Sequence, residues 1–207
     1  MIFQLAKQNE AGQIAEIHKK EIKSGFLSTL KKPFLTKLYS AIIRSPYSFC
    51  LIAKEGEKVI GFVSGVTNVD RLYLYFLSRY FFHSTVALLP RAFSFVGLKK
   101  ILETLFYPIR KIGHFVKKGS KKGKLPKAEL LSIAIDKDFQ RQGIGGKLIK
   151  EFISEMKKRK IPDFKVIVGG NLKPAINFYE KNGFEFAKKI KIHDNQLSRV
   201  YVYYVKN

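Results

Sequence analysis

An apolar run of strand character, AELLSIAI (128–135), and an amphipathic run of helical character, GGKLIKEFISEMKKRK (145–160), are separated by a short polar junction. This junction, DKDFQRQGI, constrains the chain more than any other stretch, because it forces a strand, a turn and a helix into fixed succession. Gly143, Gly145 and Gly146 sit where the helix begins. A helix N-terminus leaves backbone N–H groups without intrahelical partners and carries partial positive charge, so anions settle there. Glycine lets the backbone approach a ligand closely, and Gln140, Arg141 and Lys147 add donors and charge. A glycine-rich turn with no ligand is the alternative that this stretch alone leaves open. Two familiar phosphate loops are excluded: Lys147 is followed by Leu148 rather than Ser or Thr, and no third glycine completes a Gly-x-Gly-x-x-Gly pattern.

The elements on either side alternate. Residues 1–67 read as a strand (IFQLA), a helix (AGQIAEIHKKEI) and an irregular helical stretch (FLSTLKKPFLTKLYSAIIR). Two strands follow, SFCLIAK and KVIGFVSGV, joined by EGE as a hairpin. Residues 127–207 continue past the glycine junction with the strand FKVIVGG and the helix PAINFYEKN, closed by Gly183. The strands FEFAKKIKI and RVYVYYVK then flank the turn HDNQLS, so the expected fold is a mixed α/β or α+β sheet with flanking helices.

Residues 68–126 differ in character. They hold 12 Lys and Arg against Asp70 and Glu103, and 11 of the chain's 28 aromatic residues. Phe95, Leu98, Leu102, Leu105, Ile109, Ile112 and Val116 recur at helical spacing with lysine and arginine between them, which reads as a basic amphipathic helix kinked near Pro108. KKGSKKGKLPK reads as a flexible loop. The segment is therefore taken as a helical, basic, aromatic-rich insertion between two halves of one domain, and 207 residues with 46% hydrophobic content suit a single core.

The net charge of +23 favours anionic partners, the alternative being a lysine-rich surface that serves solubility alone. Cys50, the lone cysteine, has no disulfide partner and lies in an apolar run, so it reads as core. The N-terminus lacks the features of a secretory signal, and the longest charge-free run of the aromatic middle, YFFHSTVALLP, is too short to cross a bilayer. The expectation is a cytoplasmic protein, peripheral at a membrane at most. His18, His83, His114 and His193 show no metal-ligand spacing, and no metal is expected.

The arrangement Gln140-Arg141-Gln142-Gly143-Ile144-Gly145 between strand and helix resembles the acetyl-CoA loop of the GNAT superfamily of N-acetyltransferases. A second stretch, Asn171 to Phe184 with Ala175, Phe178-Tyr179 and Gly183-Phe184, is similar to that family's later motif and stands in the same order. The likeness is clear over 127–207, plausible over 1–67 by element order and absent over 68–126. It implies a GNAT-like mixed, mostly antiparallel sheet flanked by helices, with acetyl-CoA as co-substrate.

The resemblance also implies roles. Gln140, Arg141, Gln142, Gly143, Ile144, Gly145, Gly146 and Lys147 would hold the pyrophosphate. Ser132, Ile133, Ala134 and Ile135 would line the pantetheine arm, with the N–H of Ile133 or Ile135 as oxyanion donor, and Asn171, Ala175 and Asn177 would contact the cofactor from the next elements. An alkylamine acceptor must lose a proton before it attacks, and Glu129 stands where several members place a carboxylate base, a salt bridge being the alternative. Tyr179 takes the position of the usual general acid, a core tyrosine being its alternative.

The insertion would build or cover the acceptor pocket, or meet a partner surface. The charge favours a small anionic amine, such as a nucleotide-linked amino sugar, over a protein N-terminus or lysine-rich peptide. The basic helix suits an acidic membrane surface, or equally a lid packed on the domain. A non-catalytic nucleic-acid-binding member ranks below these, since no RNA-binding motif is present and the aromatics follow core spacing. A homodimer is compatible with the sequence.

Overall fold

The computed structural model describes residues 1–76, 125–192 and 196–206. The amphipathic helix expected around Phe95–Val116, the basic loop after it, and His83, His114 and His193 lie outside the described residues.

The elements run β1 (Ile2–Leu5), α1 (Ala11–Glu21), α2 (Phe26–Thr29), α3 (Lys32–Arg44), β2 (Ser48–Glu55), β3 (Lys58–Val66), α4 (Val69–Phe76), β4 (Glu129–Ile135), α5 (Ile144–Lys158), β5 (Asp163–Gly169), α6 (Lys173–Lys181), β6 (Glu185–Ile192) and β7 (Gln196–Tyr204). Seven strands form one sheet in the order β1-β2-β3-β4-β5-β7-β6. Every neighbouring pair is antiparallel except β4 and β5. The mixed, mostly antiparallel sheet with flanking helices is thus the architecture expected from the sequence.

Local chemistry accounts for most element ends. The hairpin between β2 and β3 turns at Gly56, whose φ of 55° is left-handed. The irregular helical stretch resolves into α2 and α3, with Pro33 in the first turn of α3, where its missing N–H leaves no bond unmade. Helix α6 stops before Gly183 at φ 84°, and β7 starts three residues earlier than the sequence suggests because Gln196–Ser198 pair along β6.

Two apolar clusters sandwich the sheet. On one face α5 and α6 cover it, with Leu148, Ile149, Phe152 and Met156 of α5 wholly buried. Burial of side chains this size stabilises by about 1.5–3 kcal/mol each. On the other face α1 and α3 pack Ile14, Ala15, Leu35 and Tyr39 on Ile52, Phe62 and Ala134.

Candidate functional site

The parallel pairing of β4 with β5 covers only Glu129↔Lys165 and Leu130↔Val166. On its other side β4 stays paired with β3 as far as Ile135, but Ser64 meets Ser132 while Gly65 meets Leu130, so Leu131 is an extra, bulged residue. A bulge bends and twists the strand that carries it. The bend coincides with the point where β4 and β5 part. Residues 131–135 and 167–169 are left facing a split whose edge N–H and C=O groups have no strand partner across it.

The split leads to the glycine junction. Asp136 caps the short 3-10 turn Lys137–Phe139, accepting from the Asp138 N–H. Arg141 (φ 62°) and Gly143 (φ 78°) are both left-handed, and Gly143 is the residue before α5. The Lys147 N–H bonds the Gly143 carbonyl at 3.1 Å, so the N–H groups of Ile144, Gly145 and Gly146 have no intrahelical acceptor. Nothing lies within 4 Å of a Cβ built on Gly143, and only Asn182 Oδ1, at 3.9 Å, approaches one on Gly146, while one on Gly145 would meet the Phe178 ring at 3.2 Å. Gly145 thus serves helix packing, whereas Gly143 and Gly146 face open space. Such a helix end, with its unpaired donors and open approach, fits an anionic group.

The residues expected to hold that anion are unequal in placement. Arg141, Gln142 and Lys147 are exposed at the helix mouth. Gln140 is engaged instead, its amide donating to the Ile135 carbonyl (2.9 Å) and to Glu21 (3.0 Å). Among the strand residues, Ile133 and Ile135 pack with the α5/α6 cluster and Ala134 with the α1/α3 cluster. Ser132 is half-buried, near the buried Tyr39. Asn171 and Asn177 are exposed and Ala175 is half-buried at the other rim.

Glu129 lies at the closed end of the split. Its neighbour Leu130 belongs to the α5/α6 cluster, so Glu129 and its cross-strand partner Lys165 point to the opposite face. The Lys165 Nζ is 3.1 Å from Glu129 Oε2 and donates to the Pro126 carbonyl at 2.6 Å. Burial raises the Glu129 pKa, and Lys165 opposes the rise. Tyr73 on α4 has its own pKa raised by burial and by the Glu129 charge, which places the phenol near this carboxylate.

Tyr179 is 6% exposed, flanked by Phe178 and Phe184 at ring-centroid distances of 5.4 and 5.1 Å. Its hydroxyl has no hydrogen-bond partner among the described residues, and burial raises its pKa, so it stays protonated at neutral pH.

Two features escaped the sequence reading. Lys165 was hidden in FKVIVGG as one polar residue in an apolar strand, which is itself a signal, since a lysine there is buried only when paired. On the α1/α3 face, His18 Nδ1 and the Tyr39 hydroxyl lie 2.5 Å apart, with Ser64 and Ser132 near the same tyrosine. No sequence spacing links residues 18, 39, 64 and 132. Among the described residues no group of three or more His, Cys, Asp or Glu could hold a metal, and no helix is long and apolar enough to cross a membrane.

Residues 108–186 match the family model for the acetyltransferase (GNAT) domain, a range that begins inside the 68–126 segment. The [ribosomal protein bS18]-alanine N-acetyltransferase of Escherichia coli strain K12 is 40% identical over 63 residues, 30% of this chain and 43% of that protein. The chain thus spans less than half the length of the curated relatives it matches. The solved ribosomal-protein-S18-alanine N-acetyltransferase of Escherichia coli superposes with a TM-score of 0.58 at 13% identity, over 100% of this chain and 94% of that one. A putative streptothricin acetyltransferase from Bacillus anthracis, solved in complex with acetyl coenzyme A, gives 0.50 at 16% identity over 81% and 68%. At these identities the structures speak for the fold, and the family match speaks for residues 108–186, which carry the split and the glycine junction. Residues 108–186 thus carry a likeness to the GNAT acetyltransferase domain, and the fold of the described residues is that of the solved acetyltransferases.

Proposed function

We propose that the protein is an N-acetyltransferase that moves an acetyl group from acetyl-CoA to a primary amine. The observation that carries this reading is the β4/β5 split running into a helix end with three free N–H groups. An elongated ligand with a peptide-like arm and an anionic centre matches that line of donors.

Bound there, acetyl-CoA supplies an acetyl thioester, an activated acyl group. The N–H groups of Ile144, Gly145 and Gly146, with Arg141, Gln142 and Lys147 beside them, hold the pyrophosphate. The exposed edge of residues 131–135 pairs with the amide groups of the arm, and an N–H of Ile133 or Ile135 stabilises the oxygen on which charge develops. Glu129 takes the proton from the acceptor ammonium, which at pKa about 10.4 is charged at neutral pH. The Tyr179 hydroxyl gives a proton to the departing sulfur. Asn171, Ala175 and Asn177 border the cofactor from β5 and α6.

For the acceptor we favour a small amine that bears phosphate or carboxylate. The net charge of +23 attracts anions, and Lys188, whose register partner Val200 pairs with Ile167, stands on the same face as Lys165. A protein N-terminus is the second reading, because the Escherichia coli relative is named for alanine acetylation of a ribosomal protein.

A panel of both acceptor classes with acetyl-CoA and thiol detection tests this on wild type and on Tyr179→Phe. Turnover with an anionic amine, falling about 10²–10⁴-fold in the variant, supports the reading. Failure of acetyl-CoA to bind in calorimetry overturns the enzyme, and salt-sensitive retention of RNA or DNA in its place favours the non-catalytic alternative.

A further inference from the structure

Lys165 is the one lysine with a relative exposure of only 5% among the described residues, and its place is specific. Its backbone N–H bonds the Ala128 carbonyl at 3.0 Å and its side chain bonds the Pro126 carbonyl and Glu129. One residue therefore grips three positions of the segment entering β4, immediately before the two strands separate.

The groups that face Glu129 are few. Lys165 approaches from β5 and Tyr73 from α4, while β3 offers backbone on the third side through the Val66 pairing. The Lys127–Asp70 pair at 2.9 Å lies next to it in sequence but is half-exposed on both sides. Lys165 is thus the only cation within ion-pair distance of Glu129 among the described residues. The side chains of the pair are 6% and 17% exposed, so little water screens them.

A buried carboxylate without a counter-charge takes up a proton, and a protonated carboxyl cannot accept one from an ammonium. We propose that Lys165 is a positioning residue for the acetyl transfer: fixed by the Pro126 carbonyl, its ammonium keeps Glu129 ionised at the closed end of the β4/β5 split. The inference rests on the reading of Glu129 as base. It also separates two functions of Lys165, the charge that acts on Glu129 and the hydrogen bond that anchors Pro126.

The test titrates Glu129 directly, by carbon-detected NMR of protein labelled at glutamate carboxyls, the resonance being assigned by its loss in Glu129→Gln. No acceptor is needed. In Lys165→Met the midpoint rises by about one pH unit or more, and in Lys165→Arg it stays within about half a unit, since a neighbouring opposite charge lowers a carboxyl by about 1–3 units. Lys165→Gln keeps a donor for Pro126 without the charge and carries the same test if the methionine variant does not fold. With the amine that turns over best in the panel, the acid limb of kcat/KM moves to higher pH in the Met and Gln variants and recovers in Arg.

An unmoved midpoint in both neutral variants overturns the role of Lys165 while leaving Glu129 as base. Wild-type turnover by Glu129→Gln removes the base instead, and with it the positioning role, even if the midpoint moves.

Discussion

Gly146 separates what the glycine junction does for the fold from what it does for a ligand. It lies in the first turn of α5, where its own N–H has no intrahelical acceptor, and a Cβ built on it meets nothing nearer than Asn182 Oδ1 at 3.9 Å. Gly146→Ala therefore fits without a clash. Alanine is favoured over glycine in a helix by about 0.5–1 kcal/mol, because less backbone entropy is lost on folding. For a chain of this size that raises the melting temperature by roughly 1–4 °C.

The same methyl tilts toward the helix N-terminus and stands beside the free donors. Loss of one hydrogen bond to a charged group costs about 1.5–3 kcal/mol, which is roughly 10- to 150-fold in Kd. The expected result is a protein more stable than wild type that binds acetyl-CoA at least tenfold more weakly, by differential scanning fluorimetry and isothermal calorimetry. Gly143→Ala is the contrast: at φ 78° a side chain costs about 1–2 kcal/mol, so stability and affinity fall together. An unchanged Kd for acetyl-CoA in Gly146→Ala would falsify the seating of the pyrophosphate on this helix end, whatever the melting temperature does.

Two further outcomes follow from buried groups. His18 is held neutral, its pKa lowered to about 4 by burial and then by the Lys19 charge. The unfolded chain binds that proton from about pH 6.5 downwards, so the contribution of His18 is full above pH 6.5 and is lost as pH falls toward 4, by up to about 3 kcal/mol. Urea unfolding at pH 7 and pH 5 should show a drop that shrinks in His18→Gln, and an equal drop in both proteins would refute the assignment. Gly65→Ala sets a methyl against the Phe152 ring, which is fully buried and cannot swing away. Overpacking of this kind costs about 1–3 kcal/mol. A melting temperature within 1 °C of wild type would show that α5 and the sheet yield more than this packing allows.

What the sequence made legible was local. The β2/β3 hairpin, the strand-turn-helix about Gly143 and the closure of α6 at Gly183 each depend on turn chemistry or periodicity within about a dozen residues. The split was not legible, because it arises from a bulge at Leu131 against β3 and from parallel pairing that ends at Val166, both set by distant segments. For the same reason Glu129 could be placed as a carboxylate near the loop but not as half of a buried pair, since Lys165 joins it only through the strand order.

That pairing alters how the two candidate proton carriers compare. Tyr179 is buried among aromatic rings with no counter-charge, so burial alone keeps its proton on, as an acid requires. Glu129 is largely buried too, and burial raises its pKa, which disfavours the ionised form a base needs. Tyr179 lies in the α5/α6 cluster and Glu129 on the opposite face of the sheet, and of the two only Glu129 has a cation within ion-pair distance among the described residues. On the proposed reading, the Lys165 ammonium lets Glu129 take a proton on one face of the sheet while burial keeps the Tyr179 proton available on the other.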